Sequence, residues 1–358
     1  MKIIPIGTPQ IIMSNPMSKH NYFGWPSIAR LQNGKIAVVA SGFRRRHVCP
    51  FGKAVISYSE DGGKTYTAPA PVIDTVLDDR DSGILPFGKS GVIVTSFNNT
   101  VEFQRRSKSA YDNAYLDTVT PEQEAEALGS TFRISQDCGV TFGPLFKSPV
   151  TSPHGPLELN DGTILWIGRT FSENNKHRIG YDGVLAYRIH ENGEMEYVGK
   201  IPNITVDGTA PLPCEPHSIQ LPDGRILTHI RVQSGGENPI FTIYQSESAD
   251  GGRTWTMPTA LLERNGGAPA HIIRHSSGTL ISVYGYRNEP YGIRAMFSKD
   301  GGKTWDTGYE VWNKGVNHDL GYPASIELAD GSLLTVFYAK ESENGPAVIM
   351  QQRWRFED

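Results

Sequence analysis

Residues 215–231 read EPHSIQLPDGRILTHIR: a proline, an apolar run, an Asp-Gly pair and a second apolar run. Asp-Gly and Asn-Gly pairs supply the positive φ angles of tight hairpin turns, so the stretch predicts two antiparallel strands meeting at Gly224. The same phrase recurs in both directions along the chain. Upstream it reads WPSIARLQNGKIAVVAS from Trp25, SGILPFGKSGVIVTSF from Ser82 and HGPLELNDGTILWIGR from His154. Downstream it reads PAHIIRHSSGTLISVYGYR from Pro269 and YPASIELADGSLLTVFY from Tyr322. The six turn glycines, Gly34, Gly91, Gly162, Gly224, Gly278 and Gly331, are separated by 57, 71, 62, 54 and 53 residues. Each interval suits four short strands and their loops. The 27 residues after Gly331 and the 34 that run up to Gly34 make one further period. An N-terminal strand that completes the last repeat closes the ring and leaves no long sheet edge exposed.

A second motif interleaves with the first: SEDGGKTY from Ser59, SQDCGVTF from Ser135, SADGGRTW from Ser248 and SKDGGKTW from Ser298. In Ser-x-Asp-x-Gly-x-Thr-aromatic, the carboxylate accepts hydrogen bonds from its own turn, glycine permits the bend and the aromatic packs between strands. These aspartates, Asp61 and Asp300 among them, read as turn staples and not as catalysts. Together the two repeats predict an all-β fold, a six-bladed β-propeller with four-stranded antiparallel blades and Asp-box turns, spanning 1–358 as one domain. Residues 104–127 break the repeat and account for the longest interval. The Glu/Ala-rich end of this insertion reads as a short helix. The insertion suits a lid or a contact between copies of the chain, and Tyr111 and Tyr115 are candidate sugar-stacking groups.

Composition narrows the class of partner. The 38 glycines and 24 prolines suit many short strands and turns, and a formal net charge of −4 gives no global pull toward nucleic acid or membrane. Three scattered cysteines, Cys49, Cys138 and Cys214, offer neither a disulfide framework nor a metal cluster. No apolar run approaches 18 residues and the first 13 lack a signal-peptide core, so the expectation is a cytoplasmic protein that needs no cofactor or metal.

Strand order then selects the functional end. In a four-stranded meander the turn between strands one and two and the Asp box between strands three and four lie at the same end. The opposite end receives the residues before strand one and after strand two, and these ring the channel mouth. Before strand one come Asp78, Asp79, Arg80 and Asp81, then His154, Glu215 and Tyr322. After strand two come Arg44, Arg45, Arg46 and His47, then Arg169, Arg231 and Arg287, with Arg294 opening strand three of blade five. Arginines gathered at one mouth repel one another unless local carboxylates or an anionic ligand neutralise them.

At these residues the chain resembles the bacterial and animal exo-sialidases with Asp boxes, along nearly its whole length. EPHSIQLPDGRILTHIR is similar to the sialidase segment that carries a glutamate before strand one and a triad arginine after strand two, which implies those roles for Glu215 and Arg231. GIRAMFSKDGGKTW resembles the segment of the last triad arginine and points to Arg294, and GYPASIELADGSLLTVFY resembles the segment of the tyrosine nucleophile and points to Tyr322. A neutral phenol with a glutamate base suits an anomeric centre that already bears a carboxylate. Two positions depart from the pattern. The family's Arg-Ile-Pro is Gly24-Trp25-Pro26 here, and the place of its acid/base aspartate falls on or near His47. A histidine suits proton transfer near neutrality; Asp79 and Asp81 are the alternatives.

The expected function is removal of a terminal acidic sugar from a small oligosaccharide. Tyr322 and Glu215 form the nucleophile pair, and His47, Asp79 or Asp81 donates the proton. Arg231, Arg294, Arg287, Arg44, Arg80, His217 and Trp25 are candidate substrate contacts, with Arg44 standing in for the missing first arginine. The histidine also fits a uronate-directed lyase, or the sialidase-like propellers that cleave rhamnose–glucuronate linkages. A propeller that binds glycan without catalysis is the third reading.

Overall fold

In the computed structural model, which describes residues 1–171 and 183–358, the six repeats form six antiparallel sheets. Blade one is built from Tyr22–Arg30, Ile36–Arg44, Lys53–Ser59 and Ala70–Ile73, and blade two from Arg80–Phe87, Gly91–Phe97, Ser130–Ser135 and Leu145–Ser148. Blade four comprises Leu212–Gln220, Ile226–Gln233, Phe241–Ser248 and Thr259–Ala260, and blade five Ala270–Arg274, Leu280–Tyr286, Gly292–Ser298 and Asp306–Trp312. Blade six takes Gly321–Glu327, Leu333–Lys340 and Ala347–Glu357, and the N-terminal Lys2–Met13 pairs with the last of these as its outermost strand. The first and last strands of the chain thus hydrogen-bond to each other, which is the ring closure expected from the spacing.

Blade three departs from the four-strand expectation. Its innermost strand is broken into Val150–Thr151 and Leu157–Glu158, both pairing with Ile164–Thr170. Pro153 and Pro156 bracket the gap, and Gly155 within it takes a φ of 84°. Proline cannot donate to a ladder, so the strand is interrupted there.

The hydrophobic core lies between blades. Val38, Val55, Leu334, Val336 and Ile349 join blade one to blade six, while Ala37, Val39, Ile84, Val92 and Val94 join blade one to blade two. The Asp boxes reinforce these seams. Asp250 accepts from the Arg253 and Thr254 amides at 3.0 and 2.9 Å and from the Ser248 and Thr254 hydroxyls at 2.8 and 2.6 Å. Asp61, Asp137 and Asp300 repeat this arrangement. Each box then sends its aromatic toward the preceding blade: Trp305 Nε1 donates to Gln245 at 2.8 Å, and the Tyr66 hydroxyl donates to Gln351 at 2.8 Å.

The insertion forms three short helical segments, Val101–Gln104, Ala110–Leu116 and Pro121–Ala127, separated by a 3-10 turn and a short link. The last is the helix expected from the Glu/Ala-rich stretch, closed by a Thr120–Gln123 capping box. Ala110–Leu116 packs on the loop after blade one's second strand. Tyr115 and Tyr111 contact Phe51, Arg45 lies 4.1 Å over the Tyr111 ring, and buried Asp112 pairs with Arg45. Tyr115 also donates to the Val76 carbonyl, so it is a brace for that loop and not a sugar platform.

Candidate active site

Four of the innermost strands carry a bulge at the mouth end. Their registers slip between Gly24 and Ser27, Arg80 and Gly83, Cys214 and His217, and Gly321 and Ala324. Within the slips, Trp25, Asp81, Glu215 and Tyr322 take φ values of 53°, 48°, 49° and 50°. A side chain at positive φ costs roughly 1–3 kcal/mol and persists where the surrounding structure imposes it. Proline follows three of the four, as Pro26, Pro216 and Pro323, and removes the ladder donor that a regular strand would use. The bulge re-aims one residue per blade.

Three of the residues singled out in the sequence meet there. The Tyr322 hydroxyl donates to Glu215 Oε1 at 2.7 Å, and Arg231 Nη1 donates to Glu215 Oε2 at 2.6 Å and to the Tyr322 oxygen at 3.1 Å. Burial and the Glu215 charge push the Tyr322 phenol well up, so it is neutral. Burial would raise Glu215, but Arg231 and the Tyr322 hydroxyl outweigh it and hold the carboxylate below its usual range. Arg231 is anchored by Gln233, and its buried Nε has no partner among the described residues. Arg287 completes the group, 5.9 Å over the Tyr322 ring and held by the Leu320 carbonyl at 3.1 Å. Arg294 is engaged elsewhere in its own blade, 3.4 Å over the Tyr286 ring and 3.8 Å from Glu310. Of the two arginines of blade five, Arg287 is the one that stands at the Tyr322 ring.

The blade one side differs from expectation. Arg44 is fully buried in an ion pair with Asp78, also donates to the His47 carbonyl, and is no substitute clamp. A Cβ on Gly52 would stand 2.2 Å from the Arg44 guanidinium and 2.3 Å from Asp78, so that pair requires glycine beside it. Arg80 donates to the His47 carbonyl at 2.8 Å and lies 4.1 Å over the Trp25 ring, which makes it a support for the His47 loop. Trp25 is 1% exposed and packs against His47, Tyr22 and Tyr338, leaving it no face for a sugar. A Cβ on Gly24 would already meet the Tyr22 ring at 3.4 Å and the Tyr338 ring at 3.8 Å, so a long side chain there would have to displace both.

The two candidate aspartates differ in their hydrogen-bond partners. Asp79 is fully buried and accepts from Thr75 and Asn98, which tie it to the loop before blade two, and burial pushes it up to about 7. Asp81 sits in the bulge with its buried Oδ1 unpartnered among the described residues. Burial, with the Glu215 charge adding to it and Arg80 opposing, pushes Asp81 up to about 7. Near neutrality such a carboxyl is divided between its protonated and ionised forms and can both give and take a proton.

His47 is half exposed, and its Nδ1 lies 3.1 Å from Asp319 Oδ1. Asp319 was missed in the sequence, although it stands before strand one of blade six as Asp78 and Asp79 stand before that of blade two. Scanning three residues upstream of Tyr322 would have found it. His217 turns out to be part of the channel lining beneath the mouth. It stacks on His271 at 4.1 Å and 15°, with His154 edge-on to both rings. Its Nδ1 accepts from the Ile272 amide of the next blade at 3.0 Å. Among the described residues, no group of His, Cys, Asp and Glu is arranged to hold a metal.

A family model described as BNR repeat-like domain matches residues 115–335. Among solved structures, a protein of unknown function from Dyadobacter fermentans aligns over 99% of both chains at 20% identity with a TM-score of 0.78. The NanB sialidase of Streptococcus pneumoniae aligns with 98% of this chain over 71% of its own, at 15% identity and a TM-score of 0.66. The Trypanosoma rangeli sialidase in complex with the inhibitor DANA aligns with 98% of this chain at 12% identity and a TM-score of 0.63, and the chain spans only 57% of that protein's length. No curated protein matches significantly. At such identities the likeness to these structures establishes the fold.

Proposed function

The chain belongs to the BNR repeat-like domain family, and from that premise we propose that it is a sialidase-like exo-glycosidase that removes a terminal acidic sugar from a small oligosaccharide. The observation that carries this reading is the Tyr322 hydroxyl, which donates to Glu215 at 2.7 Å while receiving from Arg231 at 3.1 Å. A phenol placed between a carboxylate and a guanidinium loses its proton to the first as its oxygen forms a bond, and the second stabilises the charge on that oxygen. Arg231, with a spare buried N–H, and Arg287 above the ring form a two-arginine clamp for the sugar carboxylate. Asp81, its carboxyl raised by burial, supplies the proton to the leaving oxygen. Attack by tyrosine followed by water gives overall retention at the anomeric carbon.

Tyr322→Phe tests the reading on a panel of aryl glycosides and oligosaccharides ending in sialic acid, other ulosonic acids, glucuronate or rhamnose–glucuronate. Mass spectrometry follows the released sugar. The expected result is release of one acidic sugar by the wild type and a loss of at least about 10³-fold in the folded variant. A fully active Tyr322→Phe protein refutes the mechanism. A product absorbing in the near ultraviolet identifies a lyase instead, and silence across the panel with retained binding of acidic sugars identifies a binding propeller.

A further inference from the structure

We propose that His47 and Asp319 form a second proton-transfer site at the mouth, in which His47 is the base that activates water while Asp81 is the acid that serves the leaving group. The inference rests on the glycosidase reading above and divides between two residues a task that one group would otherwise perform twice.

Hydrogen-bond geometry fixes where the ring proton sits. His47 Nδ1 faces Asp319 Oδ1 at 3.1 Å and the Tyr22 oxygen at 3.2 Å. The Tyr22 hydroxyl donates to both oxygens of Asp319, at 3.0 and 3.1 Å, so its own proton is committed there. Nδ1 therefore faces acceptors and carries the hydrogen, which leaves the lone pair on Nε2. Asp319 also accepts from the Tyr338 hydroxyl at 3.2 Å and pairs with Lys340 at 3.4 Å, contacts that keep it ionised. Trp25 stands edge-on to the imidazole at 4.9 Å. The charged groups that act on the ring are Arg80 and Arg44 on one side and Asp319 on the other. Burial of the inner edge and the two arginines lower the imidazole, Asp319 opposes them, and the net direction is down. The ring rests neutral and is ready to accept a proton, while Asp81, raised by burial, retains a proton in part of the molecules and can give it.

The steps balance. In the first, the Tyr322 oxygen bonds to the anomeric carbon and its proton passes to Glu215. The glycosidic bond breaks, and the leaving oxygen takes the proton of Asp81. In the second, water bonds to the anomeric carbon and gives a proton to His47. The Tyr322 oxygen departs and recovers its proton from Glu215. The imidazolium, stabilised by Asp319, returns its proton through solvent, and Asp81 is reprotonated.

The test uses the whole chain with 4-nitrophenyl and methylumbelliferyl glycosides of acidic sugars, whose leaving groups need no acid. Asp81→Asn loses about 10²–10⁴-fold on natural oligosaccharides and markedly less on these aryl substrates. His47→Gln releases a burst of one equivalent of aglycone and stalls, and azide, a nucleophile that needs no base, restores turnover at least about tenfold. A His47→Gln protein that turns over at the wild-type rate, or that azide does not restore, overturns the proposal. Nitrogen NMR gives a readout that needs no substrate: the His47 signal, identified by its loss in His47→Gln, is expected to show a neutral ring protonated at Nδ1. A ring protonated at Nε2 overturns the proposal whether or not a substrate is known. Asp319→Asn moves the acidic limb of kcat, measured on aryl glycosides where deglycosylation limits turnover, to lower pH and disturbs that tautomer, neither of which a merely structural role would do. Full activity in Tyr322→Phe would instead defeat the glycosidase reading and leave the NMR result standing, so the two failures are distinguishable.

Discussion

The two ends of this propeller use the same chemical group in opposite ways. At the Asp-box end, Asp250 accepts four hydrogen bonds from its own turn, and the Thr254 hydroxyl and amide lead in holding it down at about 2. At the mouth, Asp81 is buried, has an unpartnered oxygen and is pushed up. An exposed carboxylate satisfied by its own turn is a fixed charge that staples that turn, whereas a buried one is a reservoir for a proton. The difference lies first in burial, which raises Asp81, and then in the donors within reach, and not in residue type.

The largest expected effect would break this contrast if it failed. Glu215→Gln should lower turnover by about 10²–10⁴-fold, because the amide takes no proton from Tyr322. Asp300→Asn, at the opposite end, should leave turnover per folded molecule unchanged. It should lower Tm by about 2–6 °C through loss of the accepted bonds, since one side acts on chemistry and the other on a turn. Thermal melts and initial rates on the two variants decide it. The Asp300 effect should be constant between pH 8 and 5. That carboxylate is held at about 2 by the Thr304 hydroxyl and amide, so its contribution is fully present above the unfolded value near 4 and is lost only as the pH falls through its folded value.

The legibility of the sequence divides along the same line. Turn glycines and Ser-x-Asp-x-Gly-x-Thr phrases are local, since each hydrogen bond they imply closes within five residues. The six blades and the closing N-terminal strand could therefore be read from spacing alone. Tyr322, Glu215 and Arg231 were also legible, because position relative to strands one and two fixes which end a residue faces. Partnership was not legible. Asp78 claims Arg44 across 34 residues, and Tyr22 reaches Asp319 across 297. No pattern at the scale of one blade reports whether an arginine at the rim points inward or is already taken. Trp25 looked like a binding aromatic for the same reason: its cover comes from Arg80, His47 and Tyr338, in a neighbouring blade, a loop and the last blade.

The histidines beneath the mouth offer an intermediate effect. His154, His217 and His271 are kept well below their usual value by burial first and by one another second. The unfolded chain takes up protons as the pH falls through about 6.5 while the folded rings do not, so stability is fully present above that pH and declines below it. Chemical denaturation should show a midpoint that is flat from pH 8 to 7 and falls steadily from 6.5 to 5. A double His217→Gln, His271→Gln variant should flatten the slope. An unchanged slope would mean that other groups govern acid sensitivity.

The smallest effect sharpens the contrast within blade five, where two arginines stand seven residues apart. Arg287 lies over the Tyr322 ring, and Arg294 is occupied by Glu310 and Tyr286. If the clamp consists of Arg231 and Arg287, Arg287→Gln should raise KM about tenfold, the equivalent of about 1.4 kcal/mol, with a smaller change in kcat. Arg294→Gln should change KM by less than about threefold, because it removes an ion pair on the flank of the blade and no contact at the tyrosine. The reverse ranking would return the clamp to the arrangement that the sequence resemblance implied, and would require Arg294 to leave Glu310 when an acidic sugar binds.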